Sequence, residues 1–467
     1  MISPKIEYVS SYTGSLRNEI KELSRIAIPI FIGQLSSSLL GVIDTVMSSS
    51  LGVTDLSAIS LGCTFWIPLS LICIGIPLGL SPIIAHLLGK NNTADIPKYV
   101  YNAMFPILII VFISNLLLIF APSVLLGLQT KLSAEVTHKA TNYLYFIAAA
   151  LPAMSMYHLL RNTSEGLMVA WPTMFIGLMS LVLNVPLNYV FMYGKFGLPA
   201  MGAVGCGVAT AIVSWISLLV IFLYCKYNRE LKEYKLLQRR EQLDFKVISY
   251  IFRIGFPVSI ALLIENFTYH IFGYATGFFG NTIVAAHQIA NVVTILVAML
   301  PVAVSTAEAV RISNYLAIGS RTKATISIKG ALIIAHCSII PVGLLVFFNR
   351  YEIIGVFTDN KELISLASPL FTAILIFQMQ DALFGTALGI VRGFKDTKSM
   401  MIINFVILWC FGAPAGYFAG FTDFFGKPYG LYGLWGVLVV CYCCITLAFC
   451  IRSLYLFSKY NQTIYRH

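Results

Sequence analysis

Long runs of apolar residues alternate with short polar segments along the whole chain. Each run has roughly 20 residues or more, which at a helical rise of about 1.5 Å per residue is enough to cross the hydrocarbon layer of a bilayer. The pattern therefore predicts an all-α integral membrane protein. Its twelve predicted spans are 23–47, 56–87, 99–121, 141–160, 172–193, 201–225, 247–275, 282–316, 325–348, 363–391, 399–420 and 430–458.

Composition agrees with this prediction, and charge placement orients the chain. Hydrophobic residues make up 58% of the sequence and charged residues 11%, with a mean hydropathy of +0.83. Of the 31 Lys and Arg residues, 24 lie close to the chain ends or in or beside every second segment that connects two predicted spans. The positive-inside rule then places both termini in the cytoplasm, and we expect the cell inner membrane as the location. The net charge of +11 reports orientation, so no nucleic-acid partner is expected.

The chain resembles itself at an offset of 228 residues. Pro29 matches Pro257, and Gly52 matches Gly280. Because six spans return the chain to the side where it began, the repeat predicts two six-helix lobes related by a pseudo-twofold axis along the membrane normal. The predicted divisions are a cytoplasmic amino-terminal segment, an N-lobe, a charged cytoplasmic linker, a C-lobe and a cytoplasmic tail, at 1–22, 23–225, 226–246, 247–458 and 459–467.

Three acidic residues, Asp44, Glu265 and Asp381, lie well inside predicted spans. An Asp at the centre of a membrane helix is unfavourable by about 2.5–3.5 kcal/mol, so each carboxyl needs a reason to be there. Helical spacing places polar or small residues on the same face, and we expect these faces to point toward protein or water. The supporting polar positions are Gln34 and Ser37 with Asp44, and Gln378 with Asp381.

No Lys or Arg is predicted at the depth of these three carboxyls. A buried carboxyl without a counterion must take a proton, bind a metal cation or meet a cationic ligand. Those options are the chemistry of a cation-coupled transporter, whereas a fixed hydrogen bond that only locks helix packing is the structural alternative. Glu308 precedes Arg311 by three residues, which predicts a local ion pair at the end of a span, and the sequence leaves the role of Glu308 open.

Other function classes fit this chain less well. No cluster of nucleophile, base or metal ligands is found in the sequence, so we expect neither enzyme activity nor a cofactor. A major-facilitator carrier would have a GxxxDRxGRR-like loop after its second span, where this chain has GKNNTADIPK. A lipid-linked sugar flippase would carry more cationic residues in its cavity, whereas the deep charges here are acidic.

Four motifs, in this order and at these separations, resemble the multidrug and toxic compound extrusion (MATE) family, particularly its bacterial NorM-like branch. They are AIPIFIGQ at 27–34, VIDTVMSSSLG at 42–52, VAAHQ at 284–288 and VRGFKDT at 391–397. The resemblance implies twelve helices in two lobes and a secondary active multidrug efflux antiporter. Such a protein exports lipophilic organic cations in exchange for Na+ or H+ by alternating access.

The NorM-like pattern has an Asp in helix 1, a Glu in helix 7 and an Asp in helix 10, which Asp44, Glu265 and Asp381 match. By resemblance, Asp44 is the N-lobe carboxylate, while Glu265 and Asp381 form a C-lobe cation site that Na+ would occupy in a sodium-coupled protein. Some relatives have a Tyr where this chain has Phe377. The coupling ion stays open, as do a flippase of the same wider superfamily and another twelve-helix cation-coupled carrier. We expect a monomer in the lipid bilayer.

Overall fold

The computed structural model describes residues 15–128, 133–237 and 241–464. In this part of the chain, twelve helices are long and apolar enough to cross a membrane, which confirms the predicted all-helical membrane architecture. In chain order they are α1 Leu16–Ser49, α2 Val53–Gly89, α3 Ile96–Leu128, α4 Ala134–Gly166, α5 Trp171–Tyr193, α6 Ala203–Tyr227, α7 Phe245–Thr276, α8 Asn281–Ile318, α9 Arg321–Phe348, α10 Leu370–Gly393, α11 Thr397–Phe421 and α12 Gly430–Ile464. The middle of α11, Phe405–Gly412, is a π-helix.

The same turn occurs at the start of α2 and at the start of α8. Gly52 precedes α2 with a φ of 117°, and Gly280 precedes α8 with a φ of 107°. A side chain would be strained at such angles, which glycine adopts at little cost. The two glycines paired by the 228-residue offset therefore have the same local backbone role.

The chain forms two compact units. Residues 32–259 make up one, here called the N unit, and residues 1–31 with 260–467 belong to the other, the C unit. The boundaries fall inside α1 and α7, two residues after Pro29 and Pro257, so they too are 228 residues apart. A proline inside a helix removes one backbone hydrogen bond and favours a kink. The predicted lobes keep each helix whole, whereas the units divide α1 and α7.

In the N unit, α4 packs against α2, α3 and α6, and α5 packs against α6. The first half of α7 lies close to α2. A Cβ added to Gly79 would lie 2.8 Å from the Cα of Gly255, and the Ser259 hydroxyl donates a hydrogen bond of 2.9 Å to the Ile72 carbonyl. Small residues at this contact allow the two backbones to approach closely.

In the C unit, α10 is the central helix and packs against α8, α9 and α12. Three glycines, spaced by four residues, form its contact with α8. A Cβ added to Gly385 would lie 2.8 Å from the carbonyl oxygen of Pro301, and one added to Gly389 would lie 2.8 Å from that of Ser305. Gly393 similarly faces Ile312. The stripe of glycines thus brings α8 and α10 together.

One acidic residue in the first turn of α1 is buried in the C unit. Although the first span is predicted to start at 23, α1 begins at Leu16, and Glu19 is only 1% exposed. Nε of Arg311, on α8, donates to Glu19 Oε1 at 2.9 Å, and the Tyr315 hydroxyl donates to Glu19 Oε2 at 2.6 Å. The predicted ion pair between Glu308 and Arg311 is therefore wrong, because the Arg311 guanidinium forms its ion pair with Glu19.

The end of the predicted linker is fastened to α3 within the N unit. Lys98 Nζ lies 2.6 Å from Asp244 Oδ2, and the Asp244 amide donates to Asn102 Oδ1 at 2.8 Å. The hydrogen bond from Lys98 holds the pKa of the Asp244 carboxyl below its usual range. The predicted segments 1–22, 226–246 and 459–467 each extend outside the described residues, so their full extents stay predictions.

Candidate functional site

Asp44, on α1, is bound by an asparagine from α5 in the N unit. Nδ2 of Asn188 donates to Asp44 Oδ1 at 2.6 Å and lies 2.9 Å from Oδ1 of Asn184, one turn earlier on α5. Both asparagines are buried, with exposed fractions of 2% for Asn184 and 0% for Asn188. Asp44 is partly buried and faces α5, with a neutral amide as its partner.

The other two predicted polar positions on α1 do not contact this carboxyl. Ser37 is exposed, and its hydroxyl donates to the Gly33 carbonyl at 2.9 Å. The buried Oε1 of Gln34 has no hydrogen-bond partner among the residues that the structure describes. The structure thus places Asp44 against residues of α5, and Gln34 and Ser37 form no hydrogen bond with its carboxyl.

Glu265, on α7, is bound by a tyrosine from α12. The Tyr442 hydroxyl donates to Glu265 Oε1 at 3.0 Å. The ring of Tyr442 also lies edge-on to two rings of α10, with centroid distances of 5.5 Å to Phe377 and 6.0 Å to Phe384. Because these two phenylalanines flank Asp381 in sequence, Tyr442 and Glu265 lie beside the turn of α10 that carries Asp381.

Asp381 is 9% exposed and is bound by its neighbour in sequence. Nε2 of Gln380 donates to Asp381 Oδ1 at 2.9 Å, while the Thr446 hydroxyl of α12 donates to Oε1 of Gln380. Thr446 lies one turn after Tyr442 and also contacts the Tyr442 carbonyl oxygen at 2.8 Å. Residues of α12 therefore bind both sites: Tyr442 contacts Glu265 directly, and Thr446 contacts the Gln380 side chain that binds Asp381.

Gln378, predicted to support Asp381, lies elsewhere. Its side chain faces Gly343 of α9, where a Cβ would collide with Oε1 of Gln378. The residue is 2% exposed, and neither of its amide atoms has a partner within residues 15–128, 133–237 and 241–464. Gln380 holds the carboxyl instead.

Neutral groups bind all three carboxyls. The ion pairs of the described residues include Lys98 with Asp244, Lys139 with Asp55 and Glu135, Arg161 with Glu165, Arg311 with Glu19, and Arg452 with Asp396. No Lys, Arg or His nitrogen in the described ranges forms an ion pair with Asp44, Glu265 or Asp381. The neutral donors hold each carboxyl in place without supplying a permanent positive charge. The carboxyls are therefore able to bind a mobile cation.

Sequence reasoning missed Asn184, Asn188, Tyr442, Gln380 and Thr446. The two asparagines had a readable signal, because they are spaced by four residues on the otherwise apolar segment LVLNVPLNYV at 181–190. Buried amides at that spacing share one helix face and need polar partners. Tyr442 and Thr446 gave no such signal, since α12 contains many aromatic and hydroxyl residues of which most only pack.

Comparison with protein families gives a match that repeats along the chain. The MatE family model matches residues 29–190 and again residues 257–418. The two matches start 228 residues apart, which is the offset of the internal repeat. Together they cover more than half of the chain.

Comparison with individual proteins agrees with the family match. The chain is 34% identical to "Multidrug resistance protein NorM" of Photobacterium profundum, over 90% of this chain and 91% of that protein. It is 33% identical to "Probable multidrug resistance protein NorM" of Idiomarina loihiensis, over 90% of each. The fold is similar to a crystal structure of MATE in the straight conformation, with a TM-score of 0.86, 17% identity, and coverage of 95% of this chain and 97% of the other. By its repeated family match and by its NorM relatives, this chain belongs to the MatE family, as its motifs predicted.

Proposed function

We propose that this chain is a secondary active multidrug efflux transporter, which exports lipophilic organic cations in exchange for Na+ or H+. The names of its relatives support the export of multiple drugs. The bonding of the Asp44, Glu265 and Asp381 carboxyls gives further support. Each accepts a hydrogen bond from a neutral side chain, and none forms an ion pair among the described residues.

Exchange follows from competition for one negative charge. Two unit charges about 4 Å apart interact by about 4 kcal/mol at an effective dielectric constant of about 20. An ionised carboxylate therefore attracts an organic cation strongly. Most of this attraction disappears once a proton or a sodium ion neutralises the carboxylate. A one-for-one exchange of monovalent cations moves no net charge, so the concentration gradient of the small cation drives it inward, and the membrane potential adds about 2.3 kcal/mol per 100 mV only for each extra small cation that enters per drug. The drug is then released on the outer side.

Both coupling ions remain compatible with the C-unit site. Hard cations prefer oxygen ligands, and the carboxyls of Glu265 and Asp381 together with the Tyr442 hydroxyl would supply them to Na+. The Tyr442 hydroxyl, 3.0 Å from Glu265, offers an oxygen that Phe377 lacks. Either carboxyl could instead take a proton. We further propose a monomer in the cell inner membrane with both termini in the cytoplasm, in line with the placement of Lys and Arg.

Transport by the purified chain in proteoliposomes tests this function. Efflux of a fluorescent lipophilic cation such as ethidium would be followed under an imposed sodium gradient, under an imposed proton gradient, and under neither. We expect one of the two gradients to drive export well above the level of protein-free vesicles. An absence of driven export under both gradients, with correctly inserted protein, would contradict the proposal.

Asp44→Asn should slow export by roughly tenfold or more, since losing even 1.4 kcal/mol of cation binding corresponds to a factor of ten. The variant removes the charge and keeps the size of the side chain, so Asn188 retains a neighbour of similar shape. The measurement is the initial rate of ethidium efflux at matched protein content. Asp423→Asn, at an exposed acid between α11 and α12, is the control and should export normally. Export at the wild-type rate by Asp44→Asn would leave Asp44 with a structural role only.

A further inference from the structure

Glu308 is a buried acid of the C unit that the proposed site does not use. It lies on α8 and is 0% exposed. Neither of its carboxyl oxygens has a hydrogen-bond partner in the part of the chain that the structure describes. Two other glutamates are almost as deeply buried, at 1% exposure, but each forms an ion pair: Glu19 with Arg311, and Glu165 with Arg161.

The carboxyl of Glu308 fits into the contact between α8 and α10. A Cβ added to Gly389 would lie 2.8 Å from Glu308 Oε2, so only the absence of a side chain at Gly389 leaves room for the acid. Ser305, one turn earlier on α8, is 0% exposed, and its hydroxyl has no partner within the described ranges either. Two unpartnered polar side chains are therefore buried within one turn of α8.

Nearby charged groups do not neutralise Glu308. On α8 itself, Arg311 is bound by Glu19 of α1. Among described residues, no nitrogen of α9 or α10 forms an ion pair with the Glu308 carboxyl. The side chains on these helices that can be cationic are Arg321, Lys323, Lys329, His336 and Arg392. An ionised carboxylate with neither a donor nor a counterion would be very costly in such a place, and the neutral acid avoids that cost.

We propose that Glu308 binds a proton in this conformation and is a second proton site of the C unit, separate from Glu265 and Asp381. Gly389 follows Asp381 by eight residues on α10, a distance of about 12 Å along the helix. The site takes up one proton from water to form the neutral acid, and releases it when the α8–α10 contact admits water or a cation. The exchange of this proton during transport rests on the proposed function, whereas its presence in the resting protein does not.

Infrared spectroscopy of the purified protein tests whether the proton is present. The difference between the wild-type and Glu308→Gln spectra should contain the C=O stretch of one protonated carboxyl, and this band should return at a shifted frequency in Glu308→Asp. Glu308→Gln has nearly the shape of the neutral acid, so the fold should be retained. Glu165→Gln is the matched control, because this similarly buried glutamate forms an ion pair with Arg161 and its replacement should remove no such band. A wild-type spectrum that Glu308→Gln leaves unchanged would overturn the proposal.

Proton release on binding of tetraphenylphosphonium tests whether the proton exchanges. Protein in weakly buffered detergent solution would be mixed with this lipophilic cation, and the released protons counted with a pH indicator. We expect Glu308→Gln to release fewer protons per bound cation than the wild type, with similar affinity for tetraphenylphosphonium. Equal release by both would overturn the exchange of the Glu308 proton. A wild-type protein that binds no tetraphenylphosphonium would instead contradict the proposed function, and the infrared result would still decide the site.

Discussion

Asp381→Asn should abolish driven export of organic cations while the protein still folds and inserts. The asparagine keeps the size of the side chain and can still accept the hydrogen bond from Gln380. It removes the negative charge, which at about 4 Å from a cation is worth about 4 kcal/mol, or roughly a thousandfold in binding. The measurements are ethidium efflux from proteoliposomes and equilibrium binding of tetraphenylphosphonium, and both should fall to background.

Asp381→Glu is the matched variant for this prediction. It restores the charge at a slightly different position and should recover part of the binding that Asp381→Asn loses. Asp423→Asn, which removes an exposed acid, should behave as the wild type. If Asp381→Asn exports cations at the normal rate under either gradient, the C-unit carboxyl pair has no part in the exchange.

Arg311→Met should cause a large loss of stability, because it breaks a buried ion pair of the C unit. The Arg311 and Glu19 side chains are 4% and 1% exposed, and the substitution leaves Glu19 buried with only the Tyr315 hydroxyl as a described donor. Breaking a buried pair by removing one partner typically costs about 3–5 kcal/mol. Thermal unfolding in detergent, followed by loss of the monodisperse peak on size exclusion, would measure the change.

A second ion pair of the C unit provides the comparison. Arg452 lies 2.6 Å from Asp396, but the two side chains are 35% and 18% exposed. Arg452→Met should therefore cost about 1 kcal/mol or less. The double change Glu19→Leu with Arg311→Met removes both charges and should recover most of the lost stability. Equal destabilisation by Arg311→Met and Arg452→Met would show that burial of an ion pair does not determine its contribution to stability.

The helices and the repeat were predictable because each follows from local rules. A membrane helix must satisfy its own backbone hydrogen bonds, so a run of apolar residues predicts it without knowledge of any neighbour. The repeat offset alone was enough to pair Gly52 with Gly280, and in the structure both have positive φ angles. Helical spacing also drew attention to Asp44 as an inward-facing carboxyl, and its partner is a buried side chain of another helix.

The partners of the carboxyls were not predictable, because they come from helices distant in sequence. Asn188 is 144 residues from Asp44, and Tyr442 is 177 residues from Glu265. Periodicity and residue spacing show which face of a helix is polar, but they do not show which faces of distant helices meet. The same reason explains the wrong pairing of Arg311: Glu308 is its neighbour in sequence, but Glu19, 292 residues away, is its neighbour in space.

The division of α1 and α7 between the two units determines how the chain could be assembled from parts. Residues 16–31 of α1 belong to the C unit, although most of that unit begins at 260, and residues 245–259 of α7 belong to the N unit. Severing the polypeptide between α6 and α7 would therefore leave neither fragment self-sufficient, since each would lack one buried half-helix. Such fragments should be degraded when produced singly and should complement each other when co-expressed, whereas an ordinary two-domain protein yields two independent folding pieces.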